Sequence, residues 1–251
     1  MRRIAIINQK GGVGKTTTAA NLSHALALTG ASVQTLDMDP QGHLAAHLGY
    51  HDPSIKGLGE ILLGQAPRRE WNLEARENLR LIPAGVNLKT IELKPFDTEI
   101  RDRFQRYLAQ DVQESDYLIV DCPPASGVLI LYALSIVDEI IIPVAGDYLA
   151  LRGLSDLMST LKGYSQQVGR GFQFYIVCTR YHQRRRLCWE VKKKLLEYFP
   201  NRVFDTHIRE TSVLAECPSF GCTSFEYKKG SFGGEDYSRL AMDLIEGRFA
   251  S

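Results

Sequence analysis

The stretch Asn8-Gln9-Lys10-Gly11-Gly12-Val13-Gly14-Lys15-Thr16-Thr17-Thr18 gathers glycines, lysines and hydroxyls between the apolar run Ile4-Ala5-Ile6-Ile7 and an Ala/Leu-rich segment. Side chains of these types at this spacing suit a phosphorylated ligand. Gly11, Gly12 and Gly14 let the backbone curl close, so that N–H groups from Gly11 through Val13 to Thr17 converge on phosphate oxygens. Lys15 can reach the β- and γ-phosphates, and the Thr16 hydroxyl can ligate Mg²⁺ at a helix N-terminus. The usual spelling of such a loop has a glycine five residues before Gly14; here that position is Gln9, and a second lysine, Lys10, opens the loop.

Two acidic motifs could complete the chemistry. Tyr117-Leu118-Ile119-Val120 reads as a buried strand ending in Asp121, followed by Cys122-Pro123-Pro124. A carboxylate at the carboxyl end of such a strand is well placed to hold the shell of a Mg²⁺ ion. In Leu36-Asp37-Met38-Asp39-Pro40-Gln41-Gly42, Asp37 lies nearer the strand and the metal, and Asp39 lies farther out, where it can orient an attacking water. Either motif alone could be a turn; with the glycine loop they point to nucleotide triphosphate hydrolysis.

A third region offers a different chemistry. Arg180, Arg184, Arg185, Arg186, Lys192, Lys193 and Lys194 crowd one segment, interleaved with Tyr181 and Trp189 and opposed by Glu190. Cations so concentrated can displace counterions from double-stranded DNA without reading its bases. A solvated helix face with scattered charge pairs is the alternative.

To position these groups, the chain needs parallel strands that end together. Short apolar runs alternate with longer helical patterns, the signature of an α/β fold with a mostly parallel twisted sheet covered by helices on both faces. Strands are predicted at 3–8, 32–37, 79–82, 117–121, 139–144, 172–178 and 203–207. Helices are predicted at 15–29, 98–113, 127–136, 150–167, 187–198 and 235–248. Between Pro40 and Asn78, Gly42, Gly49, Gly57, Gly59 and Gly64 suggest loops and short helices over a sheet edge.

No linker or repeat divides the chain, so residues 1–251 read as one domain. Hydrophobic content of 44% with 24% charged residues is that of a globular protein, which argues against disorder. Apolar runs are too short to cross a bilayer, and the segment after Arg2-Arg3 is too short for a secretory signal, so a cytoplasmic protein is expected. The five cysteines, Cys122, Cys178, Cys188, Cys217 and Cys222, contain no C-x-x-C pair, which argues for reduced thiols. A net charge of +1 leaves any DNA contact to local charge rather than to the whole chain.

KGGVGKTT, DMDPQG and IVDCPP together resemble the ParA/MinD family of deviant P-loop ATPases, closest to the short ParA (Soj-like) type without an N-terminal helix-turn-helix. Asp138-Glu139, IIIPV, the run from Asp147 to Leu154, and Glu216-Cys217-Pro218-Ser219-Phe220-Gly221 extend the likeness over nearly the whole chain. The resemblance implies ATP and Mg²⁺ as cofactors and an ATP-bound homodimer in which Lys10 reaches the other subunit's nucleotide, much as an arginine finger does. It implies adenine contacts from the strand end at Val177-Cys178-Thr179-Arg180 and from the segment near Pro218. It also implies weak intrinsic ATPase activity stimulated by a ParB-like or cargo-adaptor protein, with Arg184 at a basic position of the DNA-binding surface.

The likeness has one departure. Family members usually carry arginines before the Glu-Ala-Pro-Ser segment, where this chain has Glu210 and Val213, with Arg209 displaced by one; Arg209 is retained as a DNA candidate.

Three function classes follow. The leading one is a nucleoid-associated positioning ATPase for a plasmid, chromosome region or other cargo. The second is a MinD- or FlhG-like membrane or pole regulator. Tyr237, Leu240, Ala241, Leu244 and Ile245 share one face of the last helix, with Asp236, Asp243 and Glu246 polar. This pattern reads as a helix on its own core and argues against a membrane tail. The third class is metabolic, covering iron–sulfur carriers, nitrogenase-type reductases and amide-forming ligases.

Overall fold

In the computed structural model, residues 1–65, 69–112, 114–124, 126–147 and 149–250 are described. The strands are β1 (Arg2–Ile6), β2 (Val33–Asp37), β3 (Leu73–Arg76), β4 (Leu79–Ile82), β5 (Tyr117–Asp121), β6 (Glu139–Ala145), β7 (Gln173–Tyr181) and β8 (Val203–Arg209). They form one sheet in the order β3-β4-β2-β5-β1-β6-β7-β8, parallel throughout except for the antiparallel β3–β4 pair. The helices are α1 (Lys15–Leu28), α2 (His43–His47), α3 (Leu58–Leu62), α4 (Leu88–Glu92), α5 (Thr98–Asp111), α6 (Val128–Ile136), α7 (Leu149–Val168), α8 (Arg186–Tyr198), α9 (Ser212–Glu216), α10 (Ser224–Tyr227) and α11 (Phe232–Glu246).

Central strands covered on both faces are mostly apolar on both sides, and Ile4, Ala5 and Ile6 of β1 are fully buried. One core joins α3 to α8 with one face of the sheet, and the other joins α1, α2 and α11 with the opposite face. α6 is buried along its whole length, as its unbroken apolar sequence requires. Where β1 begins, the Arg2 guanidinium grips Glu139 of neighbouring β6 with Nε–Oε1 at 2.9 Å and Nη2–Oε2 at 2.7 Å.

Several expected boundaries move. β7 continues to Tyr181 and β8 to Arg209, while β1 ends at Ile6 and α11 starts at Phe232. The region from Pro40 to Asn78 does hold short helices, but it also contributes an edge strand, β3, that Leu-Glu-Ala-Arg did not betray. A turn at Glu77-Asn78, with Asn78 at φ 56°, folds β3 back on β4. The end of the predicted 98–113 helix at Gln113 lies outside the described residues.

The last helix packs as expected through Tyr237, Leu240, Ala241 and Leu244, but Ile245 is 41% exposed and lies off that face. Asp236 and Asp243, expected as its polar side, are buried. They accept the Arg209 and Thr206 N–H groups at 2.9 and 2.8 Å, so α11 covers the open edge of β8 with carboxylates. All five cysteines are free thiols, with Cys122, Cys178, Cys188 and Cys217 buried.

Candidate nucleotide site

Because the strands run parallel, their carboxyl ends deliver the loop after β1, Asp37, Asp121, Asp147 and Thr179–Arg180 to one rim. β1 lies between β5 and β6, and β2 flanks β5 with Asp37 in register with Asp121. The strand-end residues read separately from the sequence therefore reach one rim of the sheet.

The loop is shaped by its glycines. Gly12 and Gly14 stand at φ 72° and 89°, in the left-handed region that a Cβ disfavours, and a Cβ built on Gly11, Gly12 or Gly14 would meet nothing within 4 Å. The backbone is thus open on the side a ligand would occupy.

Side chains from other strands pin this backbone. The Asn8 amide donates to the Pro143 carbonyl on β6 at 2.7 Å while its Oδ1 accepts the Lys10 N–H at 2.9 Å. Thr179, buried at the end of β7, donates its hydroxyl to the Val13 carbonyl at 2.8 Å. Gln9, in the place of the motif's glycine, reaches Thr160 on α7 at 3.1 Å. Sequence reasoning missed Asn8 and gave Thr179 an adenine role; its contact here is with the phosphate loop itself.

The electrostatics converge on Asp121. It is fully buried, and among the described residues neither of its carboxylate oxygens meets a partner at full hydrogen-bond geometry. Burial pushes its pKa up to about 7, with the Thr16 hydroxyl and the Lys15 ammonium opposing and Asp39 reinforcing. Burial also pulls the Lys15 pKa down, against the attraction of Asp121 and Asp39. An orphaned carboxylate beside a threonine hydroxyl at a helix N-terminus fits a Mg²⁺ shell. Among the described residues no group of three or more His, Cys, Asp or Glu could hold a metal alone.

Asp37 and Asp39 differ. Asp37 is fully buried; its Oδ1 accepts the Asp39 N–H at 3.0 Å, and its Oδ2 accepts the Leu44 and Ala45 N–H groups at 3.1 and 3.4 Å. Burial, then the charge of Asp121, raises its pKa well above the usual range. It anchors the start of α2, a role the sequence reading did not foresee. Asp39 is half-buried and uses Oδ1 to fix the turn through the Gln41 N–H at 3.0 Å.

Lys10 folds back within its own chain onto Asp147, with Nζ–Oδ2 at 2.5 Å and both side chains 41% exposed. Lys15 Nζ lies 3.4 Å from the Lys10 carbonyl. Arg180, at φ 48°, donates to the Gly12 carbonyl at 3.5 Å and pairs with Glu210 at 2.7 Å. Pro218 sits in a 3₁₀ turn, Cys217–Phe220, that packs against α2.

The basic segment begins where β7 leaves this rim. Arg184, Arg185 and Arg186 are exposed, as are Lys193 and Lys194 on α8. Arg186 pairs with Glu190 at 2.7 Å, Lys192 donates to the Asp205 carbonyl at 3.2 Å, and Lys193 lies 5.4 Å from the centre of the exposed Trp189 ring. Arg209 is not part of this face. Its guanidinium pairs with buried Asp236 at 2.6 Å and Glu235 at 3.2 Å and stacks on Phe232 at 4.0 Å.

Fold and site define a P-loop nucleotide-binding protein with a deviant glycine loop. Residues 1–174 match the AAA domain family. The chain is 33% identical to the chromosome-partitioning ATPase Soj of Treponema pallidum, covering 97% of each. It is 36% identical to the chromosome partitioning protein ParA of Myxococcus xanthus, over 98% of this chain and 88% of that one. A solved cobyrinic acid a,c-diamide synthase from Mycobacterium smegmatis, with bound ATP analog and magnesium, superposes with a TM-score of 0.81 at 29% identity, covering 98% and 95% of the two chains. This chain belongs to the ParA/MinD family of P-loop ATPases.

Proposed function

We propose that this chain is an ATP- and Mg²⁺-dependent positioning ATPase that dimerises on ATP, binds double-stranded DNA without sequence preference, and distributes a chromosome region, plasmid or other cargo. The observation that carries this reading is Lys10. A second lysine in the loop, half-exposed at the rim and held by one equally exposed carboxylate, is cheap to redirect, since such a pair contributes about 0–1 kcal/mol. A second subunit's triphosphate would be its stronger partner. The near full-length likeness to ATPases named for chromosome partitioning supports the cargo class.

The residues divide the work. The loop amides from Gly11 to Thr17 and the Lys15 ammonium hold phosphate; Thr16 and Asp121 hold Mg²⁺, which when bound neutralises charge building on the phosphoryl oxygens. Asp37 supports them from the adjoining strand end, its carboxylate positioning the turn that carries Asp39. Asp39 orients water, and Lys10 supplies positive charge in trans. Thr179 pins the loop through the Val13 carbonyl, and Pro218 borders the base. A ligand lacking the γ-phosphate offers Lys10 less, so hydrolysis loosens the dimer.

Arg184, Arg185, Arg186, Lys192, Lys193 and Lys194 form the DNA face, doubled in a dimer and placing the protein on the nucleoid in the cytoplasm. A ParB-like or cargo-adaptor protein accelerates a slow intrinsic turnover. Replacing Arg184, Arg185 and Arg186 together by Glu is expected to lower ATP-dependent retention of duplex DNA at least ~100-fold while sparing ATP binding. Unchanged DNA retention, or sedimentation of the native chain with anionic liposomes instead, would replace this reading with the membrane-regulator one. Steady ATP turnover without an acid co-substrate separates it from an amide-forming ligase.

A further inference from the structure

Glu210 follows the end of β8, and the structure gives it work. Its N–H donates to the Tyr181 carbonyl at 3.3 Å, which sets its side chain against the end of β7. One oxygen, Oε1, accepts both Nε and Nη2 of Arg180 at 3.1 and 2.7 Å. The other, Oε2, lies 3.2 Å from His182 Nε2, a pair that carries charge when the imidazole is protonated.

These contacts hold one end of the basic segment. The Arg180 hydrogen bonds lead the attractions that pull the Glu210 carboxyl below its usual pKa, and Arg180, His182 and Arg185 all add favourable charge. Glu210 is therefore ionised at neutral pH and sits amid cations. Arg180 accepts an unfavourable backbone, φ 48°, while reaching both Glu210 and the Gly12 carbonyl of the phosphate loop. Arg209 next door is committed to Asp236 and Glu235, so it does not replace the charge that Glu210 cancels.

We propose that Glu210 is an affinity-setting residue for polyanions: it is the resident counter-ion of Arg180, with His182 beside it, and it keeps the Arg180 guanidinium from DNA phosphate. This inference rests on the DNA reading above. A cation already paired inside the protein releases no counterion when DNA arrives, so the segment engages fewer phosphates than its sequence would allow. The residue tunes affinity and salt sensitivity without touching ATP or its metal.

The test is fluorescence anisotropy of the full chain with a labelled mixed-sequence duplex and ATP, over a salt series. Glu210→Gln keeps the shape and removes the charge; Glu210→Ala checks that shape is not the cause. Both are expected to tighten binding about 3- to 10-fold at moderate salt and to steepen the dependence of log affinity on log salt by roughly 1. A structural role alone would lower the melting temperature and leave that slope unchanged. The triple Arg184, Arg185, Arg186 to Glu variant runs beside them. If it loses DNA while both Glu210 variants keep the wild-type affinity and slope, this inference fails and the DNA reading stands. If it binds DNA like wild type, both fail.

Discussion

The phosphate loop and the basic segment leave the same rim of the sheet, yet they are built on opposite plans. The loop is fixed by contacts from elsewhere in the chain: Asn8 to Pro143, Gln9 to Thr160, Thr179 to Val13. Its key carboxylate, Asp121, is buried and has no hydrogen-bond partner among the described residues. The basic segment is exposed, and several of its cations already have neighbours in Glu190, Asp205 and Glu210. A preorganised site keeps a charge waiting in low dielectric for one ligand, whereas a polyanion surface keeps its charges in water, where pairing tunes them. Substitutions in the first should act strongly and singly. Those in the second should act weakly and together.

The sharpest contrast is expected at Asp121. Asp121→Asn should lower Mg²⁺-dependent ATP hydrolysis by at least ~1000-fold if, as proposed, this buried carboxylate holds the metal. It should also stabilise the ligand-free protein at neutral pH by on the order of 2–4 kcal/mol, read as a higher melting temperature. The sign follows from the raised pKa. A carboxyl whose folded pKa is about 7, above its unfolded value near 3.8, binds its proton more tightly when folded. Stability of the ligand-free chain should therefore fall as pH rises from about 4 to about 7, and the Asn variant should flatten that slope. A melting series over this range without nucleotide checks both statements; an unchanged slope removes the buried-charge account.

Next in size is Asp39→Ala, expected to slow turnover ~100-fold while ATP binding and the ATP-bound dimer persist. Normal turnover would take water positioning away from Asp39. The smallest effect belongs to the pins. Thr179→Val removes the hydroxyl that holds the Val13 carbonyl, and should cost about 1–2 kcal/mol in stability and weaken ATP binding several-fold. A loss of DNA retention at unchanged ATP affinity would instead tie Thr179 to the basic segment.

The same contrast explains what the sequence revealed. Local chemistry was readable: the glycines with Lys15 and Thr16, and the strand-end carboxylates, fall at the shared rim because parallel strands bring them there. Each apolar run that became a central strand was legible because burial on both faces leaves no polar alternation. Contacts between distant residues were not. Nothing near Asn8 names Pro143, and nothing in Leu73–Arg76 announces an edge strand whose pairing depends on a turn at Asn78.

The errors in the basic region have the same origin. Arg209 counts as a surface cation in one dimension and becomes the partner of a buried aspartate in three. Asp236 and Asp243 read only as the polar side of the last helix, because a strand edge that needs acceptors is invisible to helical periodicity. Asp37, placed with the metal ligands, proved also to hold the start of α2.

The central claim is that shared triphosphate joins two copies of this chain through Lys10. Sedimentation velocity with Mg²⁺ and a saturating nonhydrolysable ATP analogue tests it most directly, with Lys10→Ala beside the wild type and ADP as the control. The account expects a wild-type dimer with the analogue, and monomers with ADP or in the Lys10→Ala variant. Wild-type monomers with the analogue bound, or a dimer indifferent to Lys10, would contradict it.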